Sequence, residues 1–214
     1  MMDTNWSTEV ACPEKNPLIQ CLNRNEKIIL RTGSMKNYIA LLRGINVSGQ
    51  KTIRMADLQT HLGELGWQGI RTYVQSGNVI FSTANEDAGH LARKITWKLQ
   101  DKYGFEVPTL VLDPENMLQV IHYNPYVRDP ATITDRLYVT FLFDRPHEDR
   151  VRELRQIEQS GEHFTVEDQI IYLYYPDGYG RALMDNNAFE RALKVKATTR
   201  NWKTVNKLYE LAQT

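Results

Sequence analysis

Cysteine is nearly missing from this sequence. Cys12 and Cys21 are the only two in 214 residues, and both precede the first predicted strand. A disulfide framework for the body of the fold is thereby excluded, and eight intervening residues match no common zinc spacing. The chain also lacks an excess of charge of either sign, with 26 Lys+Arg against 26 Asp+Glu. A broad phosphate-neutralising surface concentrates Lys and Arg, so nucleic acid is not the first partner expected. No early apolar stretch has the length of a signal peptide, and no segment approaches a membrane span. A body without cysteine suits a reducing compartment, and the expectation is a cytoplasmic protein.

Catalytic signatures are missing as well. There is no Gly-x-Ser-x-Gly elbow and no phosphate loop ending in Gly-Lys-Ser/Thr. His61, His90, His122, His147 and His163 never fall at paired helical or strand spacing, so neither a metal nor a cofactor is expected. What is present is a 42% apolar share, enough for a real core, and an uneven distribution of charge. Residues 131–180 carry 5 basic and 10 acidic side chains, and residues 181–214 carry 7 basic and 3 acidic. Mutual neutralisation of the two segments is the simpler expectation, and an anion-attracting tail the sharper one.

The element order is the strongest signal. Residues 1–34 are polar, aperiodic and interrupted by Pro13 and Pro17, and read as a weakly ordered extension in which Leu18 to Leu30 has some helical character. The folded pattern starts at Met35, which also reads as an alternative initiator. Tyr38 to Leu42 is a continuous apolar run, as in a strand buried on both faces. Met55, Leu58, Leu62 and Leu65 recur at helical spacing before Gly66. Ile70–Gln75 and Asn78–Thr83 alternate around Ser76-Gly77, a two-residue hairpin signal that sets Val74 opposite Val79 and Thr72 opposite Phe81. Asn85 is the expected cap of the next helix, Gly104 its end, and Val107–Leu112 the fourth strand. Asp113-Pro114 starts a further helix that stops at Asn124-Pro125.

From Leu137 the same order is read again: a strand to Phe143, a helix from Pro146 with Val151, Leu154 and Ile157 inward, a hairpin of Phe164–Val166 and Ile170–Tyr175, a helix over Asn186–Leu193 and a short strand at Val195–Thr198. Asn201–Ala212 is a final helix. Strand, helix, strand, strand, helix, strand is the ferredoxin-like order. The expected fold is α+β, with two ferredoxin-like (βαββαβ) subdomains with antiparallel sheets, residues 35–125 and 136–214, joined by a linker over 126–135 and closed by a C-terminal helix.

Two sheet faces carry functional expectations. Arg71, Tyr73 and Gln75 with Asn78, Ile80 and Ser82 give the first hairpin a polar face, read as packed or solvated on one view and as a ligand floor on the other. Tyr172 and Tyr174, with Tyr138 on the neighbouring strand, stand where RNA-recognition sheets stack bases, although cross-strand tyrosines also stabilise a sheet unaided. Thr199-Arg200-Asn201 is expected between a strand and a helix start, where free amides favour an anion and where Thr199 or Asn201 also serves as a cap. Gly178-Tyr179-Gly180-Arg181 is a second loop suited to approach a phosphate, and Arg43 and Asn46 leave the first central strand as a third polar cluster.

Leu41-Leu42-Arg43-Gly44-Ile45-Asn46-Val47, Tyr73-Val74-Gln75-Ser76-Gly77-Asn78-Val79 and Ala197-Thr198-Thr199-Arg200-Asn201-Trp202 resemble, in this order, the hallmark stretches of the mostly bacterial family called domain of unknown function 1697. The resemblance covers about residues 36–212. It implies two α+β subdomains in one body and carries no activity with it. Arg54 replaces a proline common in the family, and Ala182-Leu183 replaces a common Ser-Lys pair. Taken together, the residues lead to the expectation of a binding protein for a small anionic or phosphorylated ligand, in the manner of a nucleotide. Its site is expected between the subdomains and drawn from Arg43, Asn46, Gln75, Asn78, Arg181, Thr199 and Arg200. The other readings are a single-stranded RNA-binding module using the sheet aromatics, an enzyme acting on a phosphorylated metabolite, and a protein-interaction scaffold.

Overall fold

Tyr38 to Leu42 is apolar at every position because its strand is covered on both faces. The computed structural model describes residues 34–47, 49–156 and 162–214. The N-terminal extension with its two cysteines, and the expected inward Ile157, lie outside the described residues. The first half comprises β1 (Met35–Leu42), α1 (Met55–Gly63), β2 (Gln68–Tyr73), β3 (Asn78–Ala84), α2 (Ala88–Tyr103), β4 (Thr109–Leu112) and α3 (Pro114–His122). The second comprises β5 (Leu137–Leu142), α4 (Glu148–Arg155), β6 (His163–Glu167), β7 (Ile170–Tyr174), α5 (Asn186–Leu193), β8 (Ala197–Asn201) and α6 (Trp202–Ala212). The stretch between the halves is wound into short 3-10 turns at Pro125–Arg128 and Thr134–Arg136.

Each half contains a four-stranded antiparallel sheet, ordered β2-β3-β1-β4 in the first and β6-β7-β5-β8 in the second. That order with two crossing helices is the ferredoxin-like arrangement, so the fold is the expected α+β class with a C-terminal helix. Three apolar clusters follow from the alternation of side chains across each strand. Tyr38, Ala40 and Leu42 point to α1 and α2, with Val79 and Phe81 beside them. Ile39 and Leu41 point the other way, into a middle cluster with Ile80, Met117 and Val120 of α3, Val139 and Phe141 of β5, Tyr172 of β7, and Val205, Leu208 and Ala212 of α6. A third cluster joins the outer face of the second sheet to α4 and α5 through Leu154, Ile171, Leu173, Phe189 and Leu193.

The middle cluster decides the fate of both faces singled out in the sequence. The polar face of the first hairpin is packed over most of its length, with Gln75 exposed at its end: Ile80 is buried in the cluster, and Arg71 and Ser82, the latter through Asn37, close the end of α6. Asn37 Nδ2 donates to the Ala212 carbonyl at 2.8 Å, and Arg71 Nη1 donates to Thr214 Oγ1 at 2.9 Å while its Nη2 reaches the Leu211 carbonyl. Carbonyls of a last helical turn have no intrahelical donor, and a cation there complements the helix dipole, so this polarity serves α6. The aromatic face is covered in the same way. Tyr172 is buried in the middle cluster, and Tyr174 is half-buried between the rings of Tyr126 and His163. The platform on which bases were to stack is therefore closed, because α3, α6 and the Pro125–Arg128 turn occupy it.

Local expectations shift in four places. Tyr73 pairs with Asn78 and Thr72 with Val79, so the hairpin turn spans four residues, 74–77, rather than Ser76-Gly77 alone. Asp87, not Asn85, caps α2, accepting from His90 N at 2.8 Å. The helix expected from Pro146 begins at Glu148, with His147 as its cap. The last strand runs to Asn201, placing Thr199 and Arg200 within β8. The expected caps at Asp113, Gly104 and Asn201 are found, with Asn201 Oδ1 accepting from Thr204 N at 2.8 Å.

Replacing Asn37 by Ala removes the donor to α6 and the acceptor for Ser82 Oγ. The expected loss is about 1–2 kcal/mol of unfolding free energy, read from urea denaturation. An unchanged midpoint means that α6 is held by its apolar face alone.

Candidate functional site

The three stretches that open the first loop, turn the first hairpin and form β8 meet around a cleft of about 620 Å³. Each arrives there for a local reason. The loop after β1 is folded back by Asn46, which adopts a left-handed backbone with φ of 55°. Its Nδ2 donates to the Ile53 and Gln75 carbonyls, both at 2.9 Å, and its Oδ1 accepts from Ile53 N at 2.8 Å. Asn tolerates this conformation better than other residues with a Cβ, and here the side chain stands in for backbone. Asn78, fully buried, closes the hairpin by donating to the Tyr73 carbonyl at 2.9 Å and to Ser76 Oγ at 3.1 Å. Gly77 lies directly against the loop. With φ of +78°, a Cβ there would sit 2.7 Å from Leu42 Cβ and 2.9 Å from Ile45 Cδ1.

Arg200 fills the space where the stretches converge. Its Nε donates to Asn78 Oδ1 at 2.5 Å, and its Nη1 to Thr198 Oγ1 at 2.7 Å and the Thr199 carbonyl at 2.9 Å. Its Nη2 donates to the Leu42 carbonyl at 2.8 Å and the Ser76 carbonyl at 3.1 Å. All the donors of the guanidinium are thus engaged, and every acceptor is neutral. Burial pulls its pKa down to about 10, and no carboxylate among the described residues lies close enough to hold it up. At neutral pH it remains a buried cation without a counter-charge, an arrangement that is costly unless something compensates.

The opposite wall is contributed by α5 and the turn before it. Asp185 caps α5 by accepting from Ala188 N at 2.7 Å, and Asn186 N donates to Tyr179 Oη at 2.8 Å. Thr199 Oγ1 lies 2.7 Å from Thr140 Oγ1 and donates to Asn186 Oδ1 at 3.1 Å. Burial raises the Tyr179 phenol above its ordinary pKa, so it stays protonated as a hydroxyl. Arg43 grips Glu190 of α5 through Nε, at 2.6 Å, and Nη2. This contact raises the Arg43 pKa, and Glu190 Oε1 also accepts from Ala197 N at 2.6 Å. Arg43 is therefore paired, with its Nη1 engaged in none of these bonds.

A sequence profile described as "Protein of unknown function (DUF1697)" matches residues 35–172. The chain belongs to this family. The match contains two of the converging stretches and ends before β8. No curated protein matches the chain. Among solved structures, the chain is similar to a conserved bacterial protein, SP0830, from Streptococcus pneumoniae, with a TM-score of 0.61 and 23% identity over 84% of this chain and 99% of that one. At that identity the likeness supports the fold and nothing about the chemistry of the cleft.

Of the residues singled out by sequence, Arg43, Thr199 and Arg200 line the cleft. Asn46 and Asn78 stand behind its wall as braces of the loop and the turn. Gln75 contributes its carbonyl to Asn46, and its side chain is exposed. Arg181 is not brought here: it is exposed on a 3-10 turn, Tyr179–Arg181, beside Glu162 and Asp177 in a separate depression. Arg200 is also not a loop arginine at a helix start, because β8 extends through it and directs its side chain under the hairpin. Tyr179, Asp185, Asn186 and Asn187 line the cleft without having been anticipated, and Tyr138, expected beside Tyr172 and Tyr174 on the aromatic face, lines it instead. Tyr179 sits inside the Gly178–Arg181 loop, but the glycines and the arginine drew the reading, and the tyrosine is the residue that faces inward. Among the described residues, no group of three His, Cys, Asp or Glu side chains is placed to hold a metal ion.

Replacing Arg200 by Ala strips the donor from five acceptors drawn from both halves. The expected loss is about 3–5 kcal/mol in urea unfolding. Gly77→Ala imposes an unfavourable φ and a contact with β1 that cannot relax cheaply. A loss above about 2 kcal/mol is expected in the same measurement.

Proposed function

We propose that this protein binds a small anionic ligand, bearing phosphate or carboxylate, in the cleft above Arg200. The observation that carries this reading is the buried guanidinium with no counter-anion. Its donors are used up, so it acts through its field, and the field of a buried charge is screened less than that of one at an open surface. Of the carboxylates nearby, Glu190 is matched by Arg43, while Asp185 keeps its charge at the N-terminus of α5, where its Oδ1 accepts from the amide of Ala188, and offsets part of that field. Direct contacts are supplied by Nη1 of Arg43, which no described residue engages, the Asn187 amide and the hydroxyls of Tyr138 and Tyr179. This combination of a cation, amides and hydroxyls suits an oxyanion. A nucleotide fits the class, as does a phosphorylated metabolite; a reaction on either needs a base that these residues do not supply in the free form.

Calorimetric titration with inorganic phosphate, pyrophosphate and AMP tests the reading. Asn187 is exposed on the first turn of α5, where an acidic residue suits the helix dipole, so Asn187→Asp adds a charge with little change in shape or stability. Affinity for the bound anion is expected to fall about 5–10-fold in Asn187→Asp, equivalent to about 1 kcal/mol of added repulsion, and to fall with salt in the wild type. Absence of binding at millimolar concentration by all three probes, or equal affinity in wild type and Asn187→Asp, refutes the proposal.

A further inference from the structure

Val74 is held in a conformation that β-branched residues avoid. It opens the hairpin turn with φ of +50°, in the left-handed region. Such a residue at positive φ is an outlier that costs on the order of 1–2 kcal/mol, and Asn, Asp or Gly would occupy the position more cheaply. The hydrogen bonds of the turn, from Asn78 to the Tyr73 carbonyl and from Asn46 to the Gln75 carbonyl, hold this conformation, and burial of the side chain contributes little. Val74 is 49% exposed, and it joins neither the first nor the middle apolar cluster. Val47 is similar: it lies in the loop after β1 that Asn46 ties to this turn, and it is 59% exposed. Both valines line the same cleft as Arg43, Thr199 and Arg200. A strained side chain that gains little burial in its own fold is a pointer to a contact made with something else.

The two valines are also fixed in place. Asn46 ties the residue before Val47 to the Gln75 carbonyl beside Val74, and the Leu42 amide donates to the Gly77 carbonyl at 2.8 Å. The loop and the turn thus form one braced unit, which presents two exposed valines to the cleft that Arg43 and Arg200 also line. Resting on the anion reading above, we propose that the ligand is amphipathic. Its anionic group lies toward Arg43 and Arg200, and an apolar body lies between Val47 and Val74, which set specificity for that body. A bare inorganic ion or a uniformly polar sugar phosphate leaves both valines in water and is the poorer occupant.

The test is a homologous series of inorganic phosphate and methyl, butyl and hexyl phosphate, titrated calorimetrically against wild type, Val74→Asn and Val47→Ser. Wild-type affinity is expected to rise about two- to fourfold per methylene as the chain is buried. The rise is expected to flatten in both variants while affinity for inorganic phosphate stays within about twofold. Val74→Asn should in addition melt at a higher temperature than wild type, since Asn relieves the strain; a packing role for Val74 would lower the melting temperature instead. A flat series in the wild type, or a slope that survives both substitutions, overturns this inference and leaves the anion reading standing. Absence of binding across the whole series, inorganic phosphate included, overturns both.

Discussion

One guanidinium holds the two halves of this protein in a common frame. Arg200 belongs to β8, at the edge of the second sheet, yet its bonds run to the end of β1 and to the turn of the first hairpin. The ends of β1, the hairpin and β8 each present carbonyls or an amide oxygen that their own sheets leave unpaired. A single planar donor with five N–H groups satisfies them together. An apolar residue would leave those acceptors buried and unmatched, and a lysine, with one ammonium, would not span them. The positive charge under the cleft is a consequence of this structural role.

The rest of the architecture follows from giving both sheets a second covered face. In an isolated ferredoxin-like unit one face is left over. Here α3 and α6 lie between the halves, and the left-over faces become the middle cluster. This explains why β1 is apolar from Tyr38 to Leu42, why Tyr172 is buried, and why Arg71 and Asn37 turn their polarity to the last carbonyls of α6. It also explains why the cleft opens at one end of the sheets: there the strands stop, the loops diverge, and the polar ends of β1, β8 and α5 remain without helical cover.

Much of this was legible in the chain. The fold class follows from the order of periodic segments and from turn residues such as Gly104 and Asp113, whose chemistry acts locally. The three stretches were legible as distinctive, and Arg43, Thr199 and Arg200 as cleft residues among them. The hairpin register was misplaced because Val74 takes a conformation that its residue type disfavours, so no local rule places a turn there. The end of β8 was misplaced because Thr199 and Arg200 pair with β5 across the sheet, a long-range preference that outweighs the cap signal of Thr199. Arg181 and Tyr179 were exchanged in importance because a two-residue difference on a tight turn reverses which side chain faces inward.

The sequence by itself determined the elements, their order and the sheet class, because caps, glycines and apolar periods operate over a few residues. Only the tertiary structure decided that the polar hairpin face braces a helix, that the aromatic face is closed, and that Arg200 is buried without a counter-charge. Those outcomes depend on which surfaces of the two halves meet. A pairing of residues 122 positions apart, as between Asn78 and Arg200, leaves no periodic trace in the chain.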